Sequence, residues 1–279
     1  MKKNVSYAAA VIAVVAGITA ATVAGTAGVS RAATTYPASM AAAGDSITRA
    51  YDIAWWGALR DNPAYSWSTG TNTTVSSDYA RLVKLSPAIS GHAYNDATTG
   101  AKMAALDGQL KTAASQGVAY VTVLMGANDI CTSSIATMTP ASTVQAQFRQ
   151  AMADLTSGDP AVKVFVSSIP NIYQLWSTLH ASSAATWAWR TYGVCQSMLA
   201  ASNTEAQRQQ VLAREQADNQ AIKTVCTTEF AQWCRWDNYA TYNVQFTAAD
   251  VSTVDYFHPS VTGQAKLAAT SWAASYWAP

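Results

Sequence analysis

The chain has 279 residues, a formal net charge of +1 and only 12% charged residues, about half the usual charged share. One hydrophobic core can serve that length, and no Pro/Gly/Ser linker or block of like charge divides it. No basic stripe is available to follow a phosphate backbone, which excludes nucleic acid as a partner, and three histidines with no Cys-x-x-Cys pair argue against a zinc site.

Lys2 and Lys3 precede an uncharged apolar stretch that is densest from Ala8 to Ile18. Ser30-Arg31-Ala32 then offers small residues where a signal peptidase cuts, with Gly25-Thr26-Ala27 as a second option. The stretch is mostly Ala, Gly, Thr and Val, and lacks the Leu, Ile and Phe density that holds a membrane anchor in place. Residues 1–32 are therefore expected to be a secretory signal. Cleavage would release residues 33–279 as a single extracellular domain.

Beyond that segment short β-rich runs alternate with helical ones, the pattern of a parallel sheet covered on both faces. In chain order the pattern predicts a strand over 39–44, a helix over 77–85, a strand over 89–95 and a helix over 102–114. A strand over 118–125, a helix over 142–155, a strand over 162–168 and a helix over 204–227 follow. A strand over 242–246 and a helix over 262–277 complete the series. The run 118–125 is the clearest, being nearly all apolar as a central strand must be. Ser202 with Glu205 reads as a capping box for the helix over 204–227. Ala213, Ala217, Ala221 and Val225 read as its packed stripe.

Three short strings carry chemistry: Gly44-Asp45-Ser46-Ile47-Thr48, Gly126-Ala127-Asn128-Asp129 and Asp255-Tyr256-Phe257-His258-Pro259. Each alone is usually a turn. Together they supply a serine hydroxyl, a neutral amide donor, and a histidine with a carboxylate three residues before it. Those are the attacker, oxyanion donor, base and orienter of acyl transfer. Ser46 follows the apolar run 40–43, Gly100 follows the second predicted strand and Asn128 follows the third. Parallel strands end on one side, so these loops converge at the edge where open α/β sheets bind ligands. His92 falls inside a predicted strand, and His180 has no carboxylate within several residues, which leaves His258 as the base. Asp45 and Asp129 are expected to brace their own loops. No Gly-x-Ser-x-Gly, His-Glu-x-x-His, phosphate-binding loop or dinucleotide fingerprint occurs, and neither metal nor cofactor is expected.

Four cysteines in an apparently exported chain favour two disulfides, with three pairings open. The preferred pairing joins Cys226 to Cys234, near neighbours in sequence, and Cys131 to Cys195, where it would brace the loop carrying Asn128. The aromatics of 173–189, like Trp55 and Trp56, read equally well as a rim that grips substrate or as ordinary packing.

With these blocks assembled, the chain resembles the SGNH, or GDSL-type, hydrolase family over nearly the whole mature region. The matching blocks are Gly44-Asp45-Ser46, Asn95-Asp96-Ala97-Thr98-Thr99-Gly100, Gly126-Ala127-Asn128-Asp129 and Asp255-Tyr256-Phe257-His258-Pro259. The resemblance implies an α/β, three-layer flavodoxin-like fold with a central parallel sheet, and ester hydrolysis without a metal. It implies that Ser46 attacks, that His258 moves the proton and that Asp255 orients the imidazole. The oxyanion would be met by the backbone N–H groups of Ser46 and Gly100 and by the side-chain amide of Asn128. Tyr65-Ser66-Trp67-Ser68-Thr69-Gly70 is similar to segments of phospholipase-type members, which points to lipid esters. The family also includes carbohydrate acetyl esterases, and a third reading is a binding domain that has kept the fold without the activity. The expected substrate is a small-molecule or lipid ester with a medium or longer acyl chain. No stable protein partner is implied.

Overall fold

The computed structural model describes residues 1–3 and 35–278; the apolar stretch and cleavage sites of the secretory-signal reading lie outside the described residues. From Tyr36 onward five short strands form one parallel sheet: β1 (Met40–Gly44), β2 (Ala93–Asn95), β3 (Tyr120–Leu124), β4 (Lys163–Val166) and β5 (Cys234–Trp236). Their spatial order is β2-β1-β3-β4-β5, the flavodoxin-like arrangement.

Both faces of the sheet are apolar because helices cover both. Val121, Val123, Val164 and Val166 share a core with Leu110 of α2 (Leu106–Gln116), Phe148 of α4 (Ala141–Gly158) and Val211 of α8 (Glu205–Thr224). The alternate strand positions Met40, Tyr120 and Phe165 pack with Leu82 of α1 (Asp78–Leu85) and with Trp277, just beyond α9 (Val261–Ala274). Period-2 alternation on strands buried on both sides thus gives the expected three-layer α/β fold. Among the described residues no helix is long and apolar enough to cross a membrane.

The expected elements fall close to their places, with four corrections. The fifth strand is Cys234–Trp236 and not 242–246. Asp237 turns the chain sharply after it, accepting from Ser168 N at 2.9 Å and Thr241 N at 2.9 Å, and the β-rich residues 242–246 beyond lie in a turn and irregular chain. The second strand has only three residues, which leaves His92 exposed ahead of it. The cap of α8 is Thr204 paired with Gln207, not Ser202 with Glu205. Finally, Ala213 and Ala217 face solvent, and α8 buries Val211, Glu215, Asp218, Asn219 and Ile222 instead. Polar groups occupy that face because they hold the loop after β4: Glu215 Oε1 accepts from Ile172 N at 3.1 Å, and Asn219 Oδ1 accepts from Ile169 N at 2.8 Å.

The aromatic stretch 173–189 lies on two helices, α5 (Ile172–Leu179) and α6 (Ser183–Tyr192). It is divided between buried Trp189 and exposed Trp187. Cys131 is bonded to Cys195, at the start of the single turn α7 (Gln196–Leu199), and Cys226 to Cys234.

Candidate active site

The site begins where β1 stops. Gly44 has φ +155°, and a Cβ there would lie 2.5 Å from Leu124 O and 2.6 Å from Thr48 Oγ1, so no side chain fits at this close approach to β3. Gln109 of α2 clamps the same residue, accepting from Gly44 N at 2.7 Å and donating to Gly44 O at 2.9 Å. Asp45 Oδ1 accepts from Ile47 N at 2.9 Å and closes the turn that presents Ser46. Burial pushes the Asp45 carboxyl up to about 6, against the opposing pull of the Ile47 N–H and of His258. On the far side Gln264 of α9 accepts from Trp67 N at 2.9 Å and donates to Ile47 O at 2.8 Å.

His258 arrives from the loop before α9. Its Nε2 lies 2.8 Å from Ser46 Oγ, and its Nδ1 lies 2.5 Å from Asp255 Oδ2. The ionised carboxylate only accepts, so it fixes the ring proton on Nδ1 and leaves Nε2 to accept from the serine hydroxyl. The other oxygen of Asp255 accepts from Phe257 N at 2.9 Å and His258 N at 3.1 Å, which explains the two-residue spacer: one carboxylate builds the turn and orients the ring. Tyr51 and Phe257 meet the imidazole edge-on, with centroids 5.2 and 5.1 Å away. Burial would lower the pKa of His258, but the Asp255 charge and hydrogen bond, followed by Asp52 and Asp45, hold it above the ordinary histidine value. For Asp255 burial acts upward, yet His258 and the hydrogen bonds hold its carboxyl below the ordinary range.

Asn128 lies on the single turn α3 (Ala127–Ile130), directly after β3. Its Nδ2 donates to Ala101 O at 3.0 Å, and Asp129 Oδ2 accepts from Met103 N at 2.8 Å, so the turn and the loop after Gly100 are laced together. That loop is also tied to the strand that precedes Ser46, because Thr98 N donates to Gly44 O at 3.1 Å. Gly100 is exposed at φ +79°. The N–H groups of Ser46 and Gly100 have no acceptor among the described residues. Cys131 ends α3 and its bond to Cys195 straps this corner.

The sequence-predicted groups therefore converge. His258 contacts both Ser46 and Asp255, and Asn128 shares a hydrogen-bonded corner with the Gly100 loop. His92 stays outside, as does His180, whose exposed ring stacks on Trp176 with centroids 4.5 Å apart. Sequence reasoning missed Gln109, Gln264 and Asp52. The first two look like ordinary helix-surface glutamines, and only distant contacts reveal them. Among the described residues one group could bring three ligand atoms together, Asp52, Asp255 and His258. Both nitrogens of that imidazole are already engaged, by Asp255 and Ser46.

A hydroxyl whose proton has a waiting base, at the carboxyl edge of such a sheet, is equipped to cleave esters; the protein falls in the class of carboxylic ester hydrolases. The model of the family described as GDSL-like lipase/acylhydrolase matches residues 40–270, and the chain belongs to that family. Among solved structures, a GDSL-like lipase candidate from Parabacteroides merdae ATCC 43184 superposes with TM-score 0.54 at 15% identity, covering 84% of this chain and 94% of its own. That likeness shows a shared fold. An extracellular lipase from Streptomyces rimosus matches with TM-score 0.43 at 18% identity, covering 82% of this chain and 95% of its own. A family 3 carbohydrate esterase from Clostridium thermocellum matches with TM-score 0.45 at 13% identity, covering 83% and 92%. Among curated protein sequences none matches.

Proposed function

We propose that the protein is an exported serine esterase or lipase acting on acyl esters of lipids. The observation that carries the reading is the unbroken relay from Asp255 through His258 to Ser46, at 2.5 and 2.8 Å. Ser46 Oγ attacks the acyl carbonyl as His258 Nε2 takes its proton, and the Asp255 carboxylate stabilises the imidazolium. The imidazolium returns the proton to the leaving alcohol. Water, deprotonated by the same base, then releases the acid from the acyl-enzyme. The oxyanion is met by the free N–H groups of Ser46 and Gly100 and by the Asn128 amide, whose bond to Ala101 O uses one hydrogen and leaves the other for substrate.

The lipid assignment is supported by a small, mainly apolar pocket that includes Ile47 and Phe257, the chain neighbours of Ser46 and His258, with Pro170, Ile172, Leu175 and Phe246. Exposed Trp55 (66%), Trp56 (54%) and Leu59 (73%) lie on the segment that follows Ser46. Two disulfides and the expected signal over residues 1–32 support export. N-terminal sequencing of the exported protein checks that last point.

A hydrocarbon chain gains about 0.8 kcal/mol for each methylene it buries against apolar side chains. A panel of p-nitrophenyl esters, assayed well above pH 6.5 so that His258 is neutral, should show kcat/KM rising over the first several carbons. A maximum at the acetyl ester, with acetate released from acetylated xylan, would make the enzyme a carbohydrate esterase instead.

A further inference from the structure

His258 is served by two buried carboxylates, and only one belongs to the motif that contains it. Asp52 lies six residues past Ser46. One of its carboxylate oxygens, one of Asp255 and a ring nitrogen of His258 all lie within 4.8 Å of one another. We propose that Asp52 is a second positioning residue for the reaction, a fixed negative charge that holds the imidazole and stabilises its protonated form together with Asp255. The proposal rests on the reading of Ser46, His258 and Asp255 as the catalytic groups.

Asp52 is not a loose surface acid that happens to be near. It is 4% exposed and adopts φ +53°, a left-handed backbone that a non-glycine residue takes up at a cost. Its backbone N donates to Arg60 O at 3.3 Å, and its Oδ1 accepts from Leu59 N. The Asp52 carbonyl accepts from Ser252 Oγ, and Ser252 N in turn donates to His258 O at 2.8 Å. Ser252 thus fastens the Asp52 backbone to the His258 backbone, so the separation of the two side chains is set by structure. The second oxygen, Oδ2, has no hydrogen-bond partner among the described residues. A carboxylate on so buried a residue is favoured by a nearby cation, and the imidazolium formed during each acyl transfer is such a cation.

The charges facing His258 are Asp255 from its own turn, and Asp52 and Asp45 from the loop after β1, with the Tyr51 ring edge-on beside them. All three ionisable neighbours are acids. Burial raises the Asp52 carboxyl, the Leu59 N–H opposes this, Asp255 raises it further and His258 lowers it. Asp52 contributes in the direction that keeps His258 above the ordinary histidine value.

The test is the pH profile of kcat/KM for the intact enzyme, measured for wild type, Asp52→Asn and Ser46→Ala. Asn keeps an oxygen for the Leu59 N–H and removes only the charge. An opposite charge at this range moves a pKa by about one unit or more, so the acid limb in Asp52→Asn should shift to lower pH by about one unit. A limb that stays in place, with Ser46→Ala inactive, overturns the role of Asp52 and leaves the catalytic reading standing. Activity in Ser46→Ala would overturn the catalytic reading itself. A second measurement follows His258 by imidazole proton NMR in wild type and in Asp52→Ser, which removes the charge and keeps a hydroxyl to accept from the Leu59 N–H. The His258 pKa should fall by about one unit. A pKa that does not move contradicts the proposal even if Asp52→Asn does not fold.

Discussion

Asn128→Ala isolates one proposed oxyanion donor from everything around it. The turn α3 keeps its form with alanine, a good helix former, and the bond from Met103 N to Asp129 Oδ2 that secures the turn does not involve residue 128. What is lost is an amide aimed by its 3.0 Å bond to Ala101 O. Being neutral, it donates best to charge that develops only in the transition state, so its removal should act on kcat and spare KM. Loss of one such donor costs about 2.7–4 kcal/mol, or about 10²–10³ in rate at 1.36 kcal/mol per tenfold. Acylation and deacylation both pass through an oxyanion, so the loss is expected whichever step limits turnover. Asn128→Asp, of the same shape but without donors, should be worse, since it places negative charge beside the oxyanion. Steady-state hydrolysis of p-nitrophenyl butyrate, with circular dichroism to confirm folding, reads both constants. A fall in kcat of less than about tenfold, or a raised KM at unchanged kcat, would refute the assignment.

The remaining expectations concern stability. Cys131–Cys195 closes a span of 64 residues and Cys226–Cys234 a span of 8. By loop-closure entropy, paired alanine substitution should therefore cost about 4 kcal/mol at the first and about 2.5 kcal/mol at the second. Urea unfolding measures both, and a reversed order would contradict the strap role given to the first bridge. Asp78 is buried with its carboxyl pushed up to about 8, and Ser271 Oγ donates to its Oδ1 at 2.9 Å. The unfolded chain releases that proton near pH 3.9, so the group's contribution to stability declines as pH rises from about 4 through 8. Asp78→Asn keeps the acceptor and removes the charge, and should raise Tm at pH 8 relative to wild type while changing little at pH 4. A Tm lowered equally at both values would refute the burial argument.

What could be read from the residues was local, and what could not was distant. The strand around 120–124 is legible because a strand buried on both faces must be a continuous apolar run. The Ser46, Asn128 and Asp255–His258 strings are legible because each is a turn closed by its own carboxylate or glycine. The clamps on the Ser46 loop leave no such trace: Gln109 and Gln264 act across 65 and 217 residues of chain. Asp52 was hidden in the same way, since its relation to His258 exists only after the chain ends meet. β5 is hard to read because its three residues carry too little pattern, while the β-forming residues of 242–246 lie in a turn and irregular chain. On α8 the alanine stripe looked like the packed face, but Glu215 and Asn219 are buried there because the loop after β4 needs their hydrogen-bonding groups.

Covalent labelling tests the central claim most directly. An alkyl organophosphonate carrying a p-nitrophenolate leaving group should modify the native enzyme once, on the peptide containing Ser46, with loss of activity in step with labelling. Ser46→Ala should be neither labelled nor active, and His258→Ala should label far more slowly because the hydroxyl has lost its base. Modification at another residue, or near wild-type hydrolysis by Ser46→Ala, would contradict the account.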